Sequence, residues 1–345
     1  MKFGVLQFFS WPRRQVPLVT VFERALERVR IMDAAGYDAV WLAEHHFTGY
    51  SVCPSVHMMG VLVASQTERL RIGTGVSLAA FYHPLRLAEE VALLDVLSGG
   101  RVNWGAGRGF DPIEFALFDV PVAESGERFH EAVQIAEAAW TSERLHWAGK
   151  HWTFDGVEVL PKPLQQPHPP IWLAAGSEGS IRWAARHGYS ILLGPHSTFE
   201  ENAAHHELYR SELEAAGYAL GGRDIPMARM IAVADSDAEA RAIAREGVQW
   251  IAGAYINASK VTNPGLAAQE FLTLDSETLI ERYLESAVIH GTPDRVADRI
   301  ERLRREMSLD YLMCVPLSHA SFIAFTEQVL PRFAPLGTLA AERAA

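Results

Sequence analysis

The chain has 345 residues, 49% of them hydrophobic and 21% charged, a balance typical of folded enzymes that excludes disordered and fibrous classes. Its formal charge of −11 is accompanied by scattered rather than clustered basic residues, so no nucleic-acid partner is expected. Cys53 and Cys314 allow at most one bridge, and no stretch nears the roughly 18 apolar residues of a membrane span, so a soluble cytoplasmic protein without membrane association is expected.

The amino terminus carries one Lys and an apolar run too short for a signal peptide. Short apolar runs then alternate with longer amphipathic segments, the pattern of β/α units around a parallel sheet. Lys2 to Phe8 is the first predicted strand, followed by a helix over about Thr20 to Ala35 that Gly36 ends. Further strands are predicted at Ala39 to Ala43, Leu70 to Gly75, Val102 to Ala106, Ile171 to Ala174, Ser190 to Leu193, Ala228 to Ala234 and Tyr311 to Val315. Eight such units predict a (β/α)8 TIM barrel with loop insertions at its C-terminal face, forming a single domain over residues 1–345.

Two segments break the rhythm. Residues 147–160 alternate aromatic and polar side chains around Ala148-Gly149 and Asp155-Gly156, which predicts a hairpin insertion. Residues 256–273 lack periodicity and contain Asn263-Pro264-Gly265, which predicts a mobile lid.

Barrel chemistry gathers where strands end. The second strand ends in Glu44-His45-His46, where a carboxylate beside imidazoles that titrate near neutrality suits general acid/base work by His45 and His46. Strand-end hydrogen bonding accounts for the pair as well, whereas the partner His-x-His or paired acids of a catalytic metal barrel are missing, so no metal is expected. The fourth strand runs into Gly107-Arg108-Gly109, where small residues let a flat ligand near the backbone and Arg108 can meet an anion or serve as an ion-pair partner. After the fifth strand, Ala175-Gly176-Ser177 and Ser180 open a helix, a pattern that fits either an ordinary cap or a phosphate cradle. Gly75 before Val76 removes a side chain from the barrel mouth, for a planar ring or for a turn.

Together, Ala39 to Phe47, Gly73-Thr74-Gly75, His83-Pro84 with Arg86 and Glu89, Asp95 with Gly100-Arg101, Gly107-Arg108-Gly109, Ala174 to Ser177 with Ser180, and Gly291-Thr292-Pro293 resemble the bacterial luciferase-like flavin-dependent monooxygenase family. The resemblance implies a cytoplasmic flavoprotein, commonly a homodimer, that receives reduced FMN from a separate flavin reductase. With O2 as co-substrate, a C4a-peroxyflavin then oxygenates a small-molecule substrate. It assigns the acid/base role to His45, the phosphate to Arg108, Ser177 and Ser180, and a non-proline cis peptide beneath the ring to Gly75-Val76. Gly107 stands where luciferase has a reactive cysteine and Gly176 where it has Glu, so light emission is not implied. A deazaflavin-dependent hydride-transfer enzyme and a non-catalytic flavin-binding protein are the alternatives. Phe8, Trp11, Phe81, Tyr82 and Phe110 hint at an apolar substrate or at ordinary core.

Overall fold

The computed structural model describes residues 1–262 and 276–333. Strands β1 (Lys2–Gln7), β2 (Ala39–Leu42), β3 (Arg71–Thr74), β4 (Ser77–Leu78) and β5 (Val102–Gly107) lie in one curled parallel sheet with β8 (Ile171–Ala174), β9 (Ser190–Leu192), β10 (Met227–Val233), β11 (Val288–Gly291) and β12 (Tyr311–Pro316). The order across it is β11-β10-β12-β1-β2-β3-β5-β8-β9, with β4 attached to β5. Beyond β9, Leu193 makes a parallel bridge to Met227. Its N–H donates to Pro226 O at 3.0 Å, and Ala228 N–H donates to Leu193 O at 2.8 Å.

Each strand buries both faces, which is why its sequence is a continuous apolar run rather than an alternating one. Along β2, Ala39 and Trp41 join an inner cluster with Leu6, Trp172, Met230 and Met313, while Val40 and Leu42 join the layer under the helices. That outer layer includes α1 (Leu18–Ala35), α2 (Val56–Ala64), α3 (Pro84–Leu97), α5 (Ser125–Thr141), α6 (Glu178–Arg186) and α7 (Phe199–Ala215), whereas α4 (Pro112–Leu117) follows β5 and α8 (Asp237–Thr262) packs Ala244, Val248 and Ile251 into the inner cluster. α1 ends at Gly36, whose φ of 81° is the left-handed turn that lets its N–H reach Met32 O.

The remaining strands, β6 (Leu145–Ala148) and β7 (Thr153–Val157), form a separate antiparallel hairpin. The loop expected at 256–273 needs correction in part, because α8 continues through Thr262 with no break. The rest of that segment lies outside the described residues. β4 and β11 escaped the sequence reading. Among the described residues, no helix is long and apolar enough to cross a membrane.

Candidate active site

All ten site residues expected from the sequence lie at or just beyond the carboxyl ends of β2, β3, β5 and β8, on one edge of the sheet. Past the end of β2, Glu44 and His45 are buried and His46 is partly so. Each histidine meets its own carboxylate: His45 Nδ1 lies 3.3 Å from Glu114 Oε1, and His46 Nε2 lies 3.1 Å from Glu44 Oε1. Glu114 is fully buried and also accepts the His46 backbone N–H at 2.8 Å. A buried carboxylate is tolerated only when hydrogen-bonded, so these donors keep both glutamates inside.

Glu114 was not anticipated, and the local sequence explains why. Asp111-Pro112-Ile113-Glu114 reads as a helix start with a reciprocal cap. Asp111 does cap α4 by accepting Ile113 N–H at 2.9 Å, but Glu114 turns away to the histidines. On the other carboxylate, the Tyr82 hydroxyl donates to Glu44 Oε2 at 3.0 Å. Burial and the Glu44 charge push that phenol far above its ordinary value, so it remains a donor.

The His45 ring is enclosed by Phe8, Tyr50 and Phe110, with centroids 6.4, 4.8 and 5.5 Å away. His196, beyond the end of β9, is close enough to feel the charge of His45, and Tyr283 Oη lies 3.3 Å from its Nδ1. Burial, then Arg229 and His45, push His196 down to about 3, so it is neutral at pH 7. A lone histidine after Gly194-Pro195 gave no signal in the sequence.

A second group forms on neighbouring strands, since Ala106 of β5 pairs with Leu173 of β8 and brings Arg108 beside the turn at 175–180. Ser177 caps α6: its Oγ accepts Ser180 N–H at 3.3 Å, and Ser177 N–H donates to Ser180 Oγ at 3.2 Å. Ala175 is buried, whereas Gly176 and Ser177 are exposed and a Cβ on Gly176 would touch nothing within 4 Å. Between the two groups, the Gly75-Val76 peptide is cis. A Cβ on Gly107 would lie 2.4 Å from Val76 Cγ2, so Gly107 lacks a side chain because Val76 occupies that space.

Other motif residues sit elsewhere. Asp95 accepts Gln165 N–H at 2.8 Å and its side-chain amide at 2.7 Å, and Arg101 is spent on Ser98 O, Thr67 Oγ1, Leu70 O and Ala64 O. Among the described residues, no three His, Cys, Asp or Glu side chains converge as metal ligands. A cavity of about 630 Å³ opens at the opposite edge of the sheet, lined by Lys2, Asp38, Arg71, Arg223 and Asp224 at or near strand starts.

Residues 1–310 match the profile of the luciferase-like monooxygenases. The chain belongs to this family. The oxygenase component of the flavin-dependent trigonelline monooxygenase of Acinetobacter baylyi is 31% identical over 274 residues, covering 78% of this chain and 75% of that one. The crystal structure of the monooxygenase RslO1 from Streptomyces bottropensis superposes with a TM-score of 0.85 at 29% identity, covering 97% and 100% of the two chains. The oxygenating constituent of 3,6-diketocamphane monooxygenase from Pseudomonas putida, solved with FMN, shares the fold at a TM-score of 0.77 and 20% identity over 97% and 99%. The fold of this luciferase-like monooxygenase also extends to the coenzyme F420-dependent tetrahydromethanopterin reductase of Methanopyrus kandleri, at a TM-score of 0.72 and 18% identity over 96% and 99%.

Proposed function

We propose that this luciferase-like monooxygenase is the oxygenase component of a two-component system, using O2 and reduced FMN from a separate flavin reductase to oxygenate a small apolar substrate. The observation that carries this reading is the pair of buried glutamates, each holding one histidine at the mouth of the sheet. With Nδ1–H donated to Glu114, His45 keeps Nε2 as a proton acceptor, whereas His46 meets Glu44 through Nε2 and keeps Nδ1.

The residues present fit a flavin phosphate. Two serine hydroxyls, the positive end of α6 and Arg108, two residues past the Ala106–Leu173 pair, would form a donor set, and the open space at Gly176 leaves room for an anion. Glu178 in the first turn of α6 is drawn toward Arg182, 3.3 Å away. Arg108, Ser177 and Ser180 would hold the phosphate beside the Ala175–Gly176 backbone, and Gly75, Val76 and Gly107 would support the ring. Reduced FMN, when bound, supplies the electron pair that activates O2. Phe8, Tyr50 and Phe110 keep water from His45 and favour an apolar substrate.

The bridge from Leu193 to Met227 supports closure of the sheet into a (β/α)8 TIM barrel. A homodimer is favoured by Met58, Val61 and Leu62 of α2 and Leu93, Val96 and Leu97 of α3, which are exposed on two adjoining helices. Cys53 and Cys314 are both free and buried, which suits the cytoplasm.

The deciding experiment is anaerobic titration with reduced FMN and with reduced deazaflavin, followed by exposure to O2. Tight FMN binding with an oxygen-dependent absorbance change supports the reading. Preference for deazaflavin, with no reaction with O2, supports hydride transfer in its place.

A further inference from the structure

His57 links three elements around the flavin-facing mouth. Its Nδ1 lies 2.9 Å from Glu90 Oε2 on α3, and its Nε2 lies 2.9 Å from Ser77 Oγ on β4. Glu90 Oε1 accepts from Arg86 Nε at 2.6 Å. The His57 hydrogen bond, aided by Arg86 against the effect of burial, holds the Glu90 carboxyl below its ordinary value. An ionised Glu90 takes the proton on Nδ1, so Nε2 accepts from the Ser77 hydroxyl.

Serine, histidine and carboxylate in this order have the connectivity of a nucleophilic triad. Ser77 is 0% exposed, however, so no acyl substrate reaches its oxygen. What the chain of contacts does reach is the floor of the mouth. Ser77 pairs with Ala106 of β5, and the preceding residue, Val76, covers Gly107. The other side of the His57 ring packs edge-on against Tyr82, 5.6 Å away, which in turn holds Glu44.

We propose that His57 is a positioning residue that, through Ser77, fixes the height of Val76 beneath the flavin ring. This rests on the flavin reading above. The histidine acts as a strut between the helical layer and the 75–78 segment, anchored outside by Glu90 and Arg86. Ser77 and Glu90 hold opposite ends of one rigid ring, so a shift of either helix is transmitted to the mouth.

The test uses the full chain, unchanged and carrying Ser77→Ala, His57→Asn or His57→Gln. A Gln amide at this position can reach Ser77 as Nε2 does, whereas Asn reproduces only the contact from Nδ1 to Glu90. Hydrogen exchange of the peptide spanning residues 75–78 is followed without flavin, alongside the rate of peroxide release when the photoreduced FMN complex meets oxygenated buffer. In His57→Asn and Ser77→Ala, exchange at 75–78 should rise about tenfold, as for one lost buried hydrogen bond, and peroxide release should speed up. His57→Gln should return both toward the unchanged protein. Equal behaviour of the Gln and Asn variants, or a loss of thermal stability with exchange at 75–78 unchanged, would overturn the proposal. Failure of the unchanged protein to bind FMN would instead sink the flavin reading, and exchange alone would still decide whether His57 holds Ser77.

Discussion

The two edges of the sheet handle charge in opposite ways. At the strand starts, permanent cations meet anions or carbonyls: Lys2 Nζ lies 2.7 Å from Asp224, and Arg71 donates to Asn103, Val102 O and Gln165. At the strand ends, Glu44 and Glu114 rely on histidines, a tyrosine and a backbone N–H. The first arrangement is built on permanent cations, whereas the second is built on imidazoles, side chains suited to passing a proton. A cavity of about 630 Å³ lies at the fixed end, away from the two histidine–glutamate pairs.

The sharpest way to break this contrast is His45→Ala. Turnover should drop by about 10²–10⁴-fold, the usual worth of general acid/base help, while the dissociation constant for FMN hardly changes. Steady-state oxygenation measured beside flavin titration checks it, and undiminished turnover would mean that the strand ends are as inert as the strand starts. Arg108→Ala should weaken FMN binding by tens of fold, from loss of a charge-assisted contact of about 1.5–3 kcal/mol. Riboflavin, which lacks the phosphate, serves as the control and should bind both proteins alike.

A smaller effect is expected in the pH dependence of stability. Folded His196 stays neutral down to about 3, whereas in the unfolded chain it takes up a proton below about 6.5. The unfolded state therefore binds more protons in this window, and the stability contributed by His196 is present above 6.5 and erodes as pH falls toward 3. His196→Gln should flatten that slope, read from urea midpoints at pH 7 and pH 5. Least affected should be Lys2→Met at the opposite edge, where the side chain is 50% exposed. A change under about 1 kcal/mol in urea unfolding, with turnover untouched, is expected for so open a pair.

The eight strands around the mouth were legible because each is a short continuous apolar run bounded by turns, and the expected site residues fall together at one edge of the sheet. β4 escaped because two residues carry no period, and β11 because it sits between helices with scarcely a turn on either side. The candidate site was legible along the chain but not across it. His45 and His46 follow a strand in plain view, whereas Glu114 comes from a helix 69 residues after His45 and only the fold makes them neighbours. The partners of His57 were unreadable for the same reason, since Ser77 and Glu90 lie on two other elements.

The contact between Val76 and the bare α-carbon of Gly107 constrains how this mouth can evolve or be engineered. A cysteine placed at 107 alone would put its Cβ 2.4 Å from Val76 Cγ2, closer than two carbons can approach. Shrinking Val76 to alanine first removes the obstructing methyl, after which the second substitution has room. The two positions are epistatic, and the accessible path runs through 76 before 107: a library that varies residue 107 by itself would report that only glycine works there, and would mistake a steric lock for a chemical requirement.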